Sequence, residues 1–223
     1  GSLLSGAADT TLRLWNPVTG ATRGVLHGHR DQVWSARFSP DGGQILSGSA
    51  DGELWQWTRQ GQLQKLSVGR NWIYGVGFSP DGTLLAAGGL DGALLWNPRD
   101  GSRLPLLGRL SVRALAWGPD GRLATADRDG RIQLWDARGS FVQQFSAHRL
   151  AVSALVWTGT GQLISGGQDG QIIFWDRDRP LRRLQTTLVL SLAVSGNQLL
   201  SGHDDGRARL WSLQGALLQT FEP

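Results

Sequence analysis

The chain has 223 residues, of which 40% are apolar and only 18% charged, so it is long enough to bury a substantial core. Glycine occurs 32 times, and glycine in place of helix-favouring Glu and Lys points to many tight turns between strands. With no cysteine, disulfides and Cys-ligated zinc are excluded. The net charge of +4 is carried almost wholly by arginine, Lys65 being the only lysine. No run reaches the roughly 18 apolar residues of a membrane helix, and no charged-then-apolar leader is present. The expectation is a cytoplasmic chain without a membrane partner.

An internal period organises the chain. Trp15, Trp57, Trp96, Trp135, Trp175 and Trp211 lie 42, 39, 39, 40 and 36 residues apart. Asp9, Asp51, Asp129, Asp169 and Asp205 each precede their tryptophan by six residues, and Asp91 precedes Trp96 by five. The units are read as 1–27, 28–68, 69–107, 108–146, 147–184 and 185–223.

Unit one begins at Leu3-Leu4-Ser5-Gly6, which matches the second strand Ile45-Leu46-Ser47-Gly48 of unit two. It is therefore expected to hold three strands and to leave an unpaired inner edge. Unit two is the most regular. Its predicted strands are 33–38, closed by the turn Ser39-Pro40-Asp41-Gly42, then 44–49, 54–57 and 63–67. Unit three keeps Ser79-Pro80-Asp81-Gly82 but shows Gly69-Arg70 in place of Gly28-His29, and Ala87 in place of Ser47. Unit four has Thr125 at the serine position and no aligned histidine. Unit five restores His148, Ser165, Asp169 and Trp175, and unit six shows no aligned histidine. Sustained helical periodicity with caps is absent throughout.

The spacing, the Gly-His pair, the Ser-Pro-Asp-Gly turn and Trp-Asp at Trp135-Asp136 and Trp175-Asp176 resemble the WD-repeat family over essentially the whole chain. The resemblance implies an all-β propeller of four-stranded blades around a channel. The count gives five complete four-stranded blades plus three strands of a sixth. It reads as an excerpt of a larger ring, self-associating through its unpaired inner edge or marginally stable.

Units two and five each carry Ser, His and Asp: Ser47, His29 and Asp51, then Ser165, His148 and Asp169. By composition this is a nucleophilic triad. By the resemblance it is a structural tetrad completed by Trp57 or Trp175, with the indole bonded to Ser, Ser to His, and His to the turn Asp. Repetition at the blade spacing, without an oxyanion-hole or nucleophile-elbow motif, favours the structural reading. No cofactor is expected, a metal lacks sufficient ligands, and no phosphate-binding loop opens a helix.

The loop entering each blade and its Asp turn emerge on one face, which in WD-repeat proteins most often grips peptides. There the sequence places Arg30, Trp34, Arg70, Trp72, Tyr74, Leu90, Arg109, Arg113 and Arg128. Trp, Tyr and Arg dominate interface energetics, and clustered arginine suits an acidic segment. The competing reading is that Trp34 and Tyr74 pack between first strands while the arginines are solvated. A second basic group, Arg177, Arg179, Arg182 and Arg183, lies in unit five. Trp55 and Gln56 invert the expected polarity of a third strand. The preferred function is a non-enzymatic protein-interaction scaffold or sensor in a larger protein, of bacterial source by its arginine bias and loose repeats. A channel-mouth propeller enzyme and a weak nucleic-acid binder are the alternatives.

Overall fold

A computed structural model describes residues 1–58, 60–61, 63–66, 71–103 and 111–222. It divides into two compact bodies, Gly1–Val112 and Arg113–Pro223, each described by itself. Every described regular element is a β-strand, and each sheet is an antiparallel meander in which a strand pairs with the next in sequence.

In the first body, one sheet holds β1 (Leu3–Gly6), β2 (Leu12–Trp15) and β3 (Thr22–Leu26). The next holds β4 (Val33–Phe38), β5 (Gln44–Ser49), β6 (Leu54–Thr58) and β7 (Leu63–Lys65). The third holds β8 (Ile73–Phe78), β9 (Leu85–Gly89) and β10 (Gly92–Trp96), with a bridge from Trp96 to Arg103 continuing it. The fourth strand expected for this unit runs into residues 104–110, outside the described set.

In the second body the sheets are complete. One holds β11 (Val112–Trp117), β12 (Leu123–Asp127), β13 (Arg131–Trp135) and β14 (Phe141–Ser146). Another holds β15 (Val152–Trp157), β16 (Leu163–Gly167), β17 (Gln171–Asp176) and β18 (Arg179–Gln185). The last holds β19 (Val189–Ser195), β20 (Gln198–His203), β21 (Ala208–Ser212) and β22 (Leu217–Phe221).

Burial explains why the second strand of units two to five reads as an unbroken apolar or small run. Residues 45–49, 85–89, 123–127 and 163–167 are buried throughout, so these strands are covered on both faces and do not alternate. Small residues there admit the neighbouring sheet. A Cβ on Gly48 would lie 2.5 Å from Ile73 Cγ2 and 2.8 Å from Val76 Cγ1 of the next blade. The Ser-Gly pair is thus a packing requirement as well as a hydrogen-bonding one. Sheets are also tied by polar bonds: Val33 N–H donates to Ala7 O at 3.0 Å, and Trp157 Nε1–H donates to Ala116 O at 3.1 Å.

The polarity inversion at Trp55 and Gln56 is not a distortion of the strand. β5 and β6 keep an unshifted register, Ser47 opposite Trp55 and Leu46 opposite Gln56. Gln56 is buried and donates through Nε2 to Gln44 Oε1 at 2.8 Å. Trp55 stacks on Trp57 with centroids 5.6 Å apart and donates to Glu53 Oε2 at 2.9 Å.

Candidate functional site

The Ser-His-Asp sets are assembled from three elements. In unit two, His29 on the incoming loop places Nε2 2.8 Å from Ser47 Oγ on β5, and Nδ1 2.9 Å from Asp51 Oδ2 in the following turn. Trp57 on β6 donates its indole N–H to the same Ser47 Oγ at 2.8 Å. Unit five repeats the arrangement: His148 to Ser165 at 2.8 Å, His148 to Asp169 at 2.8 Å, and Trp175 to Ser165 at 2.8 Å. The distances are those of a hydrolase triad. The access is not. Ser47 and Ser165 are both 0% exposed, and each hydroxyl oxygen already receives an indole N–H, so neither reaches a substrate as a nucleophile.

The proton order follows from the donors. The indole can only donate, so the serine hydroxyl donates onward to His Nε2, and His Nδ1–H donates to the carboxylate. That order needs a neutral imidazole. Burial is the dominant influence on His29 and His148 and holds both below the ordinary value of 6.5, despite the opposing pull of Asp51 and Asp169. The His–Asp contacts are therefore hydrogen bonds of a neutral ring, not ion pairs. Asp51 is pushed up by its own burial, but Arg30 N–H, Glu53 N–H and His29 together hold it below the usual carboxylate value.

Other units keep parts of the set. Trp15 donates to Ser5 Oγ at 2.9 Å, and Trp135 donates to Thr125 Oγ1 at 2.9 Å. Unit three lost the serine, and the buried Trp96 Nε1 has no partner; Asn71 Nδ2 donates instead to Asp91 Oδ1 at 2.7 Å. Unit six holds a network built without a histidine on the incoming loop. His203 Nε2 lies 2.7 Å from Ser201 Oγ, which also accepts the Trp211 indole at 2.8 Å. The histidine here sits two residues beyond the serine on β20, and alternation along a strand puts both on one face. That spacing was the available signal.

These three histidines predict an acid-labile fold. The His203 value is also lowered, with burial the leading cause. A lowered folded-state value means that the unfolded chain binds more protons below about 6.5, so this contribution to stability is intact above that pH and falls as pH drops below it. The thermal midpoint should decline between pH 7.5 and 5.5, and a His29→Asn, His148→Asn variant should show a flatter profile. A midpoint constant over that range for the unsubstituted protein would contradict the assignment.

The aromatic face is built by β-bulges. The β4–β5 register shifts between Val33 and Ser35, and the β8–β9 register between Ile73 and Gly75. Trp34 and Tyr74 are the extra residues, released from the ladder and re-aimed. In the second body, β15 and β19 carry the same shift around Ser153 and Leu190. Trp34 is 50% exposed and Trp72 48%, although both are large apolar side chains. Tyr74 joins them edge to face, 6.3 Å from Trp34 and 6.2 Å from Trp72. Leu90, 41% exposed, is fixed beside them by its N–H to Trp72 O at 3.1 Å. Arg30 is exposed, and its backbone N–H donates to Asp51 Oδ2 at 2.9 Å.

Within the first body, Trp34, Trp72 and Tyr74 therefore come together in one aromatic group. Arg70 and Arg109 lie outside the described residues. Arg113 and Arg128 belong to the second body, Arg113 half-buried on β11 at the position corresponding to Trp34, and Arg128 exposed in the β12–β13 turn. Among the described residues no group of three or more His, Cys, Asp or Glu is placed to hold a metal ion, and no helix is long and apolar enough to cross a membrane.

The repeated sheets, five of the six closed by a tryptophan whose indole is bonded to the preceding strand, define a WD-repeat β-propeller protein. The model of the family described as the IFT122 first beta-propeller matches residues 1–223, and the chain belongs to that family. Relatives match in part. Coronin-7 of Mus musculus is 44% identical over 52 residues, covering 23% of this chain and 6% of that protein. The guanine nucleotide-binding protein subunit beta of Zea mays is 49% identical over 51 residues, 22% of this chain and 13% of its own length. Eukaryotic translation initiation factor 3 subunit I of Nematostella vectensis is 27% identical over 154 residues, 61% of this chain and 46% of the relative. The chain thus spans less than half the length of each of these relatives.

Proposed function

We propose that the chain is a non-enzymatic protein-interaction module, and that it grips a partner protein or peptide through the face carrying Arg30, Trp34, Trp72 and Tyr74. The observation that carries this is the exposed aromatic group, formed where β-bulges turn Trp34 and Tyr74 out of their strands. Rigid aromatic area held in place before binding is what interface hot spots are made of. Two of the relatives are named as subunits, of a guanine nucleotide-binding protein and of an initiation factor, which agrees with a role inside assemblies. Arg30, exposed in the same body as the aromatic group, favours a partner segment with carboxylates. A scaffold or sensor in a larger cytoplasmic protein is the context this reading implies.

The test begins with affinity capture from extract of the source organism and reconstitution with the captured protein in pure form. A Trp34→Ser, Trp72→Ser variant should lose at least about tenfold in affinity, because hot-spot aromatics each contribute about 2 kcal/mol or more. Its thermal midpoint should stay close to that of the parent, since both side chains are half in solvent. Unchanged affinity in the double variant would refute the assigned face.

A further inference from the structure

The eleven tryptophans divide into three groups by the fate of the indole N–H. Seven donate it inside the protein, to Ser, Thr or Glu side chains or, for Trp157, to a backbone carbonyl. In Trp96 and Trp117 the Nε1 atom is buried without a partner. Trp34 and Trp72 are the remaining two. Both stand half in solvent, and among the described residues neither indole N–H has an acceptor. The tryptophans with a free donor at the surface are thus the two of the aromatic face.

The shape of that face narrows what can lie on it. Tyr74 meets Trp34 at an interplanar angle of 65° and Trp72 at 89°. Rings set edge to face form ridges with notches between them, not the flat plate on which a sugar or a base stacks. Leu90 extends the apolar surface, and its N–H fixes the Trp72 carbonyl at 3.1 Å. Asn71 is also engaged, donating through Nδ2 to Asp91 Oδ1 at 2.7 Å. The ridges therefore carry two free donors, whereas the neighbouring carbonyl and amide are already bonded.

We infer that the aromatic face takes a proline-rich segment in the polyproline II conformation, its rings seated between Trp34, Tyr74 and Trp72 and its carbonyls on the two indole N–H groups; this rests on the assignment of that face as the binding surface. A polyproline helix has no internal hydrogen bonds, so its carbonyls arrive in need of donors. Proline has no N–H and asks for no acceptor in return. The conformation is already set in the free segment, so little ordering entropy is lost on binding. Other modes of peptide recognition fit less well. An added β-strand needs ladder positions with N–H and C=O free, and Trp34 and Tyr74 are bulge residues standing outside the ladder. A helix satisfies its own backbone and would leave both indoles without acceptors. A phosphorylated segment calls for a cluster of arginines, and Arg30 is the only arginine among the described residues of the incoming loops in this body. One cation there suits a single carboxylate flanking the prolines.

The experiment titrates three fluorescein-labelled peptides of equal length into the full chain by anisotropy: oligoproline ending in Glu, a Gly-Ser peptide ending in Glu, and an amphipathic helical peptide with Leu on one face. Saturable binding of oligoproline alone is expected. Trp34→Phe with Trp72→Phe keeps an aromatic ring at each position and removes both donors; it should weaken oligoproline binding about tenfold or more and leave the thermal midpoint unchanged. Trp34→Ser with Trp72→Ser should abolish binding. Equal affinity of the parent and the Phe variant, or equal binding of the Gly-Ser or the helical peptide, overturns the proposal. The partner recovered by affinity capture separates this proposal from the one beneath it. If the Ser variant loses that partner while oligoproline binds neither protein, the face stands and the proline assignment falls. If oligoproline binds the parent and not the Ser variant, while the captured partner binds both alike, the proline site stands and that partner sits elsewhere.

Discussion

Replacing Ser47 by alanine is expected to lower the unfolding free energy by about 2–5 kcal/mol, with Ser165→Ala close to it. The reason is the number of buried groups that meet at one oxygen. Ser47 Oγ accepts from Trp57 Nε1 at 2.8 Å and bonds His29 Nε2 at 2.8 Å, and all three residues are buried. Removing the oxygen orphans an indole donor and an imidazole nitrogen together, and each buried unsatisfied group costs about 1–3 kcal/mol. His29→Ala removes one partner and leaves the Trp57–Ser47 bond, so it should cost less. A double-mutant cycle between positions 29 and 47 should return a coupling of about 1 kcal/mol or more. A Ser47→Ala loss below about 0.5 kcal/mol in denaturant titration would mean that the network carries no such load.

Unit three shows what the fold does when that oxygen is absent. Ala87 stands in place of the serine, Arg70 stands where the histidine would, and Trp96 Nε1 is buried without a partner. The Arg103 guanidinium lies 4.8 Å from the Trp96 ring centroid. Serine and histidine are both absent from this unit, which leaves one orphan donor rather than two. The same unit contributes Trp72, Tyr74 and Leu90 to the aromatic group. Relaxed structural constraint and a divergent surface thus coincide in one blade.

The architecture was legible because it is written in composition and spacing. The tryptophan period, the Asp-Gly turns and the buried Ser-Gly strands are properties of residue type at fixed separation, and the described strands lie where those patterns place them, except that β7 ends at Lys65 and not at 67, with Leu66 already outside the strand. The exposure of Trp34 and Tyr74 was not legible in this way. It depends on a bulge, which is a count of residues against a partner strand, and the run Val33-Trp34-Ser35 carries no compositional mark of it. The left-handed backbone at Arg177, φ 58°, was hidden for a related reason: it is set by the two-residue closure of the β17–β18 hairpin. His203 was readable in principle, since Ser201 and His203 are two apart on a strand. It lies on β20, outside the incoming loop that carries the histidines of units two and five.

Gly89→Ala is expected to cost about 2–4 kcal/mol and to abolish partner capture as well, which distinguishes it from a purely structural lesion elsewhere. A Cβ on Gly89 would lie 2.2 Å from Trp72 O and 3.1 Å from Trp72 C, both backbone atoms that no rotamer change can move aside. The same carbonyl accepts Leu90 N–H at 3.1 Å, and Gly89 pairs with Ile73 across the β8–β9 ladder. Relief therefore requires that the segment before β8 move away from β9, which breaks that bond and carries Trp72 out of its edge-to-face contact with Tyr74. Stability and binding should fall together here, whereas Trp34→Ser with Trp72→Ser should reduce binding alone. Measuring both quantities at 20 °C, well below the variant's thermal midpoint, keeps unfolding from imitating the loss of affinity. If Gly89→Ala binds the partner as the parent does while folded, the position of Trp72 is not what the partner reads, and the aromatic face is reduced to Trp34 and Tyr74.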